Sequence, residues 1–537
     1  MKIDVRIEPN HKNGWRRFEF EGPAGRQGCC WLFDPWRYST FTSKLRSAIQ
    51  NAADFEALET GVRAVCRDNN HEFAAIIAVA GKCLAAVDHI QSEPLFYAIS
   101  GRTLVLTNEP DRLLSFVEPR LRKLQLREFM LSNWVSGADT LLRNLFQVEA
   151  GRLLVSDGKA IGQEAYYEFW HREPAHFSVE TATKEFRDLI LATVEEFLEP
   201  YRDHRIVLML SGGLDSRLVL WALDTLKAPD VLLCSYGRSF QRDVVWAKRF
   251  ASLSSFEWKL IPLTYRTVRK AFQSADRKAY SQKRHFFSRL PFLQDYPAIK
   301  ALQATGELDR PTIFVTGNSG DYVSGAHIQE TLSLHNDVDV TIEAILTKHH
   351  SRWPKDHLSA RAYQELQEKI EAELRKAPAS DRNEANLFEW WEWRERQSKF
   401  IVNSKKLYQW LDLELFLPLW DKRVMRFFET APFRYRRKQQ FYSEFCHSLV
   451  TPAGAAFSSV PVTQMGRVRL ARRARRAFEF LANPKWGRYS LADLRHILSA
   501  AKRVLGTCRP PGLPNIDGSY NALILWEIMQ HYQIEAD

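Results

Sequence analysis

The chain is predicted to be an α/β protein in two parts: a sheet-rich part over residues 1–175, and an α/β part with a parallel sheet and a helical end over residues 176–537. Three observations predict this. Before residue 170, short β-rich runs (FAAIIAVAG, CLAAVDHI, EPLFYAIS, RTLVLTNE, GRLLVSD) are punctuated by Gly, Asn and Asp. After it, IVLML (206–210) is a continuous apolar run, as expected of a parallel strand covered on both faces, and a glycine turn, a helix and a second strand, VLLCSYG (231–237), follow. Between the parts, HREPAHF carries boundary residues, and Ser178 is placed to cap a helix in which Phe186, Leu189, Ile190, Val194, Phe197 and Leu198 recur at three- and four-residue spacing.

Composition narrows the class. With 537 residues, 45% hydrophobic and 26% charged, the chain has the balance of an ordinary globular protein. The stretch from 73 to 87 is interrupted by Lys82 and is shorter than the roughly 20 residues of a spanning helix. Seven cysteines without CxxC spacing signal neither a zinc site nor a disulfide framework, which fits the reducing cytoplasm. A net charge of +11 suits phosphate-rich substrates, nucleic acid or anionic membrane alike.

The stretch LMLSGGLDSRLVL (208–220) bears the clearest chemistry. A helix N-terminus presents unpaired N–H groups and the positive end of its dipole, and a turn of small residues lets a phosphate approach them. Ser211, Gly212, Gly213 and Ser216 are such a turn, and Asp215 is suited to a Mg²⁺ that bridges phosphate oxygens. GxxxxGK[ST] is absent, so pyrophosphate as leaving group is favoured over γ-phosphoryl transfer. A second strand and glycine turn, TIFVTGNSGDYVSG, spans 312–325.

SGGLDS after an apolar strand resembles the PP-loop of the ATP-pyrophosphatase superfamily, and TGNSGDYVSG, CSYGRSFQRDVVWAKRFA, ELFLPLWDKRVMRF and RRKQQFY resemble its asparagine synthetase branch over residues 180–450. The resemblance implies a PP-loop, adenine nucleotide α-hydrolase-like domain using ATP and Mg²⁺. Leu210, Ser211, Gly212, Gly213 and Ser216 would cradle ATP, Tyr236 and Gly317 would lie near the adenosine, and Asp215 and Asp321 would bind Mg²⁺. Lys438, with Arg437 as rival, would stabilise charge as an amine attacks the acyl-adenylate, and Asn318 would stand beside the reacting centre. Three positions depart from the pattern. Asn318 replaces a glutamate of asparagine synthetase (a tyrosine in the β-lactam-forming relative), Phe416 replaces the arginine of ExRxP, and Tyr322 the glutamate after the metal aspartate. A plain asparagine synthetase is therefore not expected.

HEFAAIIAV and the runs from 85 to 114 and 145 to 158 resemble the class II glutamine amidotransferase domain, which implies an Ntn-type αββα fold. Its nucleophile is an N-terminal cysteine, whereas residue 2 is Lys, so the domain is expected to be glutaminase-dead. Exposure of Cys29 or Cys30 by cleavage is disfavoured, because GRQGCCWLF reads as a strand. Ammonia would then be free, supplied by a separate glutaminase, or replaced by a substrate amine.

Two kinds of relative fit a small-molecule or peptide carboxylate: proteins of surface-polysaccharide assembly that amidate sugar carboxylates, and lasso-peptide macrolactam synthetases. LPFLQDYPAIK, with Gln294 and Asp295, and His327 tilt the reading to the sugar-amidating type. A PP-loop RNA-modifying enzyme is disfavoured by the lack of an RNA-binding motif, and a non-catalytic ATP-binding scaffold by the retained aspartates. The arginine-rich stretch 466–480 reads as an amphipathic helix whose broad arginine face is either solvated or, over 467–476, meets anionic membrane or a lipid-linked substrate.

Overall fold

The computed structural model describes residues 1–7, 14–22, 25–35, 39–118, 120–353, 358–452, 454, 524–525, 527–532 and 535–536. The arginine-rich stretch 466–480 lies outside them.

Among the described residues, eleven strands precede residue 170: β1 (Lys2–Arg6), β2 (Arg16–Gly22), β3 (Arg26–Phe33), β4 (Ala74–Val79), β5 (Lys82–Val87), β6 (Phe96–Ser100), β7 (Thr103–Thr107), β8 (Arg120–Leu121), β9 (Leu145–Gln147), β10 (Arg152–Ser156) and β11 (Ile161–Ala165). They build a four-stranded sheet, β1-β7-β6-β9, and a six-stranded sheet, β11-β10-β5-β4-β3-β2. Side chains alternate across a strand, and here both sides are apolar. Ala74, Ile76, Cys83, Ala85 and Val87 meet Tyr97, Leu104 and Leu106 in one core between the sheets. Their chain neighbours Ala75, Ile77, Leu84 and Ala86 face the opposite way, into a second core with helices α1 (Ser39–Gln50) and α2 (Phe55–Asp68). The outer face of the four-stranded sheet is met from the second part of the chain, where Phe286 stacks on Phe96 with centroids 5.5 Å apart. The run from 73 to 87 is thus a hairpin, turning through Ala80 and Gly81 at φ 52° and 76°. GRQGCCWLF is strand β3, with the Cys30 thiol buried and pushed up by that burial.

Ser178 accepts the Thr181 N–H at 3.3 Å and starts helix α3 (Val179–Leu198), whose buried residues are Ala182, Phe186, Ile190, Thr193, Val194 and Phe197. Next come β12 (Arg205–Met209), α4 (Leu214–Thr225), β13 (Val231–Gly237), α5 (Arg242–Ala251), β14 (Glu257–Pro262), β15 (Thr312–Val315) and β16 (Glu414–Phe416). All neighbours in this five-stranded sheet, β14-β13-β12-β15-β16, are parallel. The residues between 338 and 448 are mostly helical. The two-residue strand β17 (Glu535–Ala536) returns to pair with β8 in the first part. The α/β class predicted from sequence, with facing sheets first and a parallel sheet second, is the class observed. No helix among the described residues is long and apolar enough to cross a membrane.

Candidate active site

The chain leaves β12 to build β13 and β14 on one side and returns to place β15 on the other, so the carboxyl ends of β12 and β15 flank the point where strand order reverses. In open parallel sheets the crevice at such a switch is the usual ligand site. Leu208 and Val315 are paired there, and each strand ends in a glycine turn. Gly213 caps α4 with extended backbone and no side-chain bond of its own. Gly317 packs so closely on the start of α4 that a Cβ would lie 2.5 Å from the Ser216 nitrogen, which no flexible tip can relieve. Within the first turn, Ser211 N donates to Ser216 Oγ at 3.1 Å, Gly213 N to Ser211 Oγ at 3.2 Å, and Gly212 N to the Asp243 carboxylate at 3.0 Å. An anion on a loop amide is the arrangement that a helix N-terminus favours.

Asp215 and Asp321 come together at the same place. Asp321 N donates to Asp215 Oδ2 at 3.1 Å, and the Tyr442 hydroxyl to Asp215 Oδ1 at 2.9 Å. Burial, and then the charge of Asp321, push the Asp215 carboxyl up to about 7. Burial would raise Asp321 also, but the hydrogen bond and charge of His327 hold it below its ordinary value. His327 bridges Asp321 (3.1 Å) and the buried Glu392, and these carboxylates outweigh its burial and raise it to about 9. Two adjacent carboxylates, one of them disfavoured as an anion by the other, suit a divalent cation of oxygen preference such as Mg²⁺.

A cavity of about 580 Å³ opens over both turns. Leu210, Ser211, Gly213, Asp215, Ser216, Tyr236, Gly317, Asn318 and Asp321 all line it, as do Gln294 and Asp295. The Tyr236 hydroxyl donates to Asp295 at 2.8 Å and receives Gln294 Nε2 at 3.1 Å. Gly212 is within the turn but not in the lining.

Lys438 is not brought in. Its backbone is left-handed at φ 59°, and its ammonium pairs with Glu330 at 2.7 Å, both side chains about 70% exposed. The rival Arg437 donates to the Glu330 carbonyl at 2.7 Å. An exposed pair of this kind contributes little, so Lys438→Ala is expected to leave kcat/KM within about twofold of the parent in a steady-state assay. His327 sits behind Asp321 and outside the cavity lining, as a bridge between acids. Phe416 stacks on Phe197 at 4.0 Å and 6°, which explains an aromatic where the family pattern has arginine. Tyr322 is buried, with its hydroxyl donating to the Glu389 carbonyl at 2.8 Å.

Sequence reasoning missed Arg396, Gln439, Ile401, Phe292 and Asp243, which also line the cavity. Arg396 belongs to a π-helical turn, Trp393–Ile401, that follows the helix Glu384–Glu392 directly. Such wide turns concentrate at functional sites. The only available signal was the charge-dense block WEWRERQSK between aromatic runs.

A rival acidic cluster, Glu149, Glu373 and Glu395, holds carboxylate oxygens within 4.8 Å of one another. Arg394 donates to Glu149 and, at 3.2 Å, to Glu373, while Lys399 reaches Glu395 at 2.5 Å. These cations occupy the cluster and tie the first part of the chain to the second.

No protein-family model matches the sequence, and no curated protein sequence matches it. Among solved structures, the chain is similar to glutamine phosphoribosylpyrophosphate amidotransferase from B. subtilis, complexed with ADP and GMP (12% identity, TM-score 0.19), over 45% of this chain and 48% of that one. It thus spans about half the length of that protein. It is also similar to an NH3-dependent NAD synthetase from Campylobacter jejuni in complex with nitrate (18% identity, TM-score 0.21), over 43% of this chain and 97% of that one. A third is the allosteric regulatory enzyme of purine biosynthesis (12% identity, TM-score 0.20), over 47% and 64% of the two chains.

Proposed function

We propose that the chain forms amides at the expense of ATP: it adenylates a carboxylate, releases pyrophosphate, and passes the acyl group to ammonia or an amine. The observation that carries this reading is that the glycine turn ahead of α4 and the Asp215–Asp321 pair open on one cavity. In this reading the triphosphate lies against the N–H groups at the start of α4, with the adenosine toward Tyr236. Asp215 and Asp321 would hold Mg²⁺, which when bound supplies charge neutralisation between phosphate oxygens. One carboxylate oxygen attacks the α-phosphorus, and the bond to the bridging oxygen breaks, so that pyrophosphate leaves with its electron pair. Nitrogen then attacks the acyl carbon, AMP leaves with the C–O electron pair, and the extra proton on nitrogen passes to solvent. Tyr236, Gln294 and Asn318 present polar groups that orient the reactants.

The acceptor in this reading is a sugar uronate of surface-polysaccharide assembly. The segment LPFLQDYPAIK, which resembles the sugar-amidating relatives, contributes Phe292, Gln294 and Asp295 to the cavity. Residues 1–175 would serve as a scaffold for residues 176–537, with nitrogen supplied as free ammonia or by a separate glutaminase. The protein would work in the cytoplasm. The test is to incubate it with Mg·ATP, ammonium and galacturonate, and to separate the nucleotides. The expected products are AMP and pyrophosphate in equal amounts, dependent on the uronate. Formation of ADP and phosphate, or AMP without any dependence on a carboxylate, overturns the reading.

A further inference from the structure

Among the described residues, the cavity lining contains four aspartates, Asp215, Asp243, Asp295 and Asp321, and one cationic side chain, Arg396. Three of the acids have evident uses. Asp243 accepts the Gly212 amide, and Asp215 and Asp321 form the pair suited to a metal. Asp295 is buried and accepts hydroxyls from Tyr236 at 2.8 Å and Tyr408 at 3.0 Å. Apart from the amides at the start of α4, Arg396 is the cationic group that an acidic substrate meets among the described residues of this lining.

The π-helical turn places Arg396 one wide turn beyond Glu392. Arg396 Nη1 donates to Glu392 at 3.0 Å and lies 3.5 Å from His327 Nδ1, which donates to the same carboxylate. Among the described residues the hydrogen bond of Arg396 to Glu392 uses this one nitrogen, which leaves the side formed by Nη2 and Nε for a second partner. That side is the planar fork that matches the two oxygens of a carboxylate. Glu392 does not serve the guanidinium alone, because the same carboxylate also pairs with the Lys348 ammonium at 3.4 Å. The guanidinium is held from behind, with its side chain 25% exposed, which restricts it without closing it off.

We propose that Arg396 is the contact through which the cavity takes the carboxylate of its acidic acceptor. This rests on the functional reading above and adds the residue that selects an acid. Arg396, Asp215 and Asp321 line the same cavity, so a carboxylate on the Arg396 fork would share it with the metal pair, where activation would take place. The role that the resemblance assigned to Lys438, a cation beside the reacting carboxyl, then falls on a residue 42 positions earlier in the chain.

The experiment is calorimetric titration of the whole protein with Mg²⁺ and α,β-methylene-ATP, followed by galacturonate and, separately, by its neutral methyl ester. Arg396→Gln and Arg396→Lys are compared with the parent. The expected result is unchanged nucleotide affinity in both variants, which also shows that they are folded. Galacturonate should bind about 10–100-fold more weakly to Arg396→Gln, as expected for loss of charge-assisted hydrogen bonds, with partial recovery in Arg396→Lys. The ester should bind parent and Arg396→Gln alike. Equal galacturonate binding by parent and Arg396→Gln, or no galacturonate binding by a parent that binds nucleotide, overturns the proposal and leaves nucleotide use standing. Loss of nucleotide binding in both variants, with melting temperatures unchanged, overturns it by placing Arg396 on the phosphates. A parent that binds no nucleotide overturns the functional reading itself, and this proposal with it.

Discussion

Asp215→Asn is expected to lower turnover by about 10³-fold, the equivalent of the several kcal/mol that a held metal supplies to developing charge, while the protein without Mg²⁺ melts at a higher temperature than its parent. The two effects have one cause. Asp215 is buried with Asp321 beside it, the Asp321 N–H donating to Asp215 Oδ2 at 3.1 Å, and burial and then the charge of Asp321 disfavour the ionised Asp215 carboxylate. The folded-state value of Asp215, about 7, lies above its ordinary value of 3.8. Its ionisation therefore costs stability as the pH rises through about 7, and the cost is absent below the ordinary value. Melting curves at pH 6 and pH 8 should show the advantage of the Asn variant widening with pH, and Mg²⁺ should stabilise the parent but not the variant. A variant that melts lower than its parent at pH 8 would contradict this account.

Arg394→Met should cost about 3–5 kcal/mol, the range for breaking a buried ion pair by removing one partner, because buried carboxylates lose their counter-charge. Arg394 is 1% exposed, lies 4.2 Å over the Trp390 ring, and serves Glu149 and Glu373 together. Although burial raises Glu149, the charge of Arg394 holds it down to about 2. Because the folded value is depressed, the stability from Glu149 is full above its ordinary value of 4.5 and is lost as the pH falls toward about 2. Urea unfolding at pH 7 measures the loss. The double variant Arg394→Met with Glu149→Gln should recover part of it, and no recovery would mean that packing on Trp390, not charge, dominates.

The parts of the fold that were legible in the sequence are those written by neighbouring residues. Strand β13 occupies the predicted 231–237, and Ser178 caps the helix it was expected to cap. The turns at 211–216 and 317–321 meet as expected, because a strand, a glycine turn and a helix in a parallel sheet leave few other ways to be assembled. What was not legible depends on long-range geometry. Lys438 and Gln439 both adopt positive φ, and this local reversal turns the lysine outward while Gln439 lines the cavity. No pattern of residue types announces that turn. Arg396 reaches the cavity from the widened turn that follows Glu392, and no pattern of residue types in the sequence marks that widening.

The hairpin formed by β4 and β5 has no solvent side, since its alternate residues belong to two separate cores. A slip of one residue in its pairing would exchange the entire inner and outer sets. Most globular sheets can absorb change on the face that meets water. Here that freedom is missing, and the stretch from Ala74 to Val87 acts as a ruler shared by both layers, on which a polar substitution at almost any mark is felt on one side or the other.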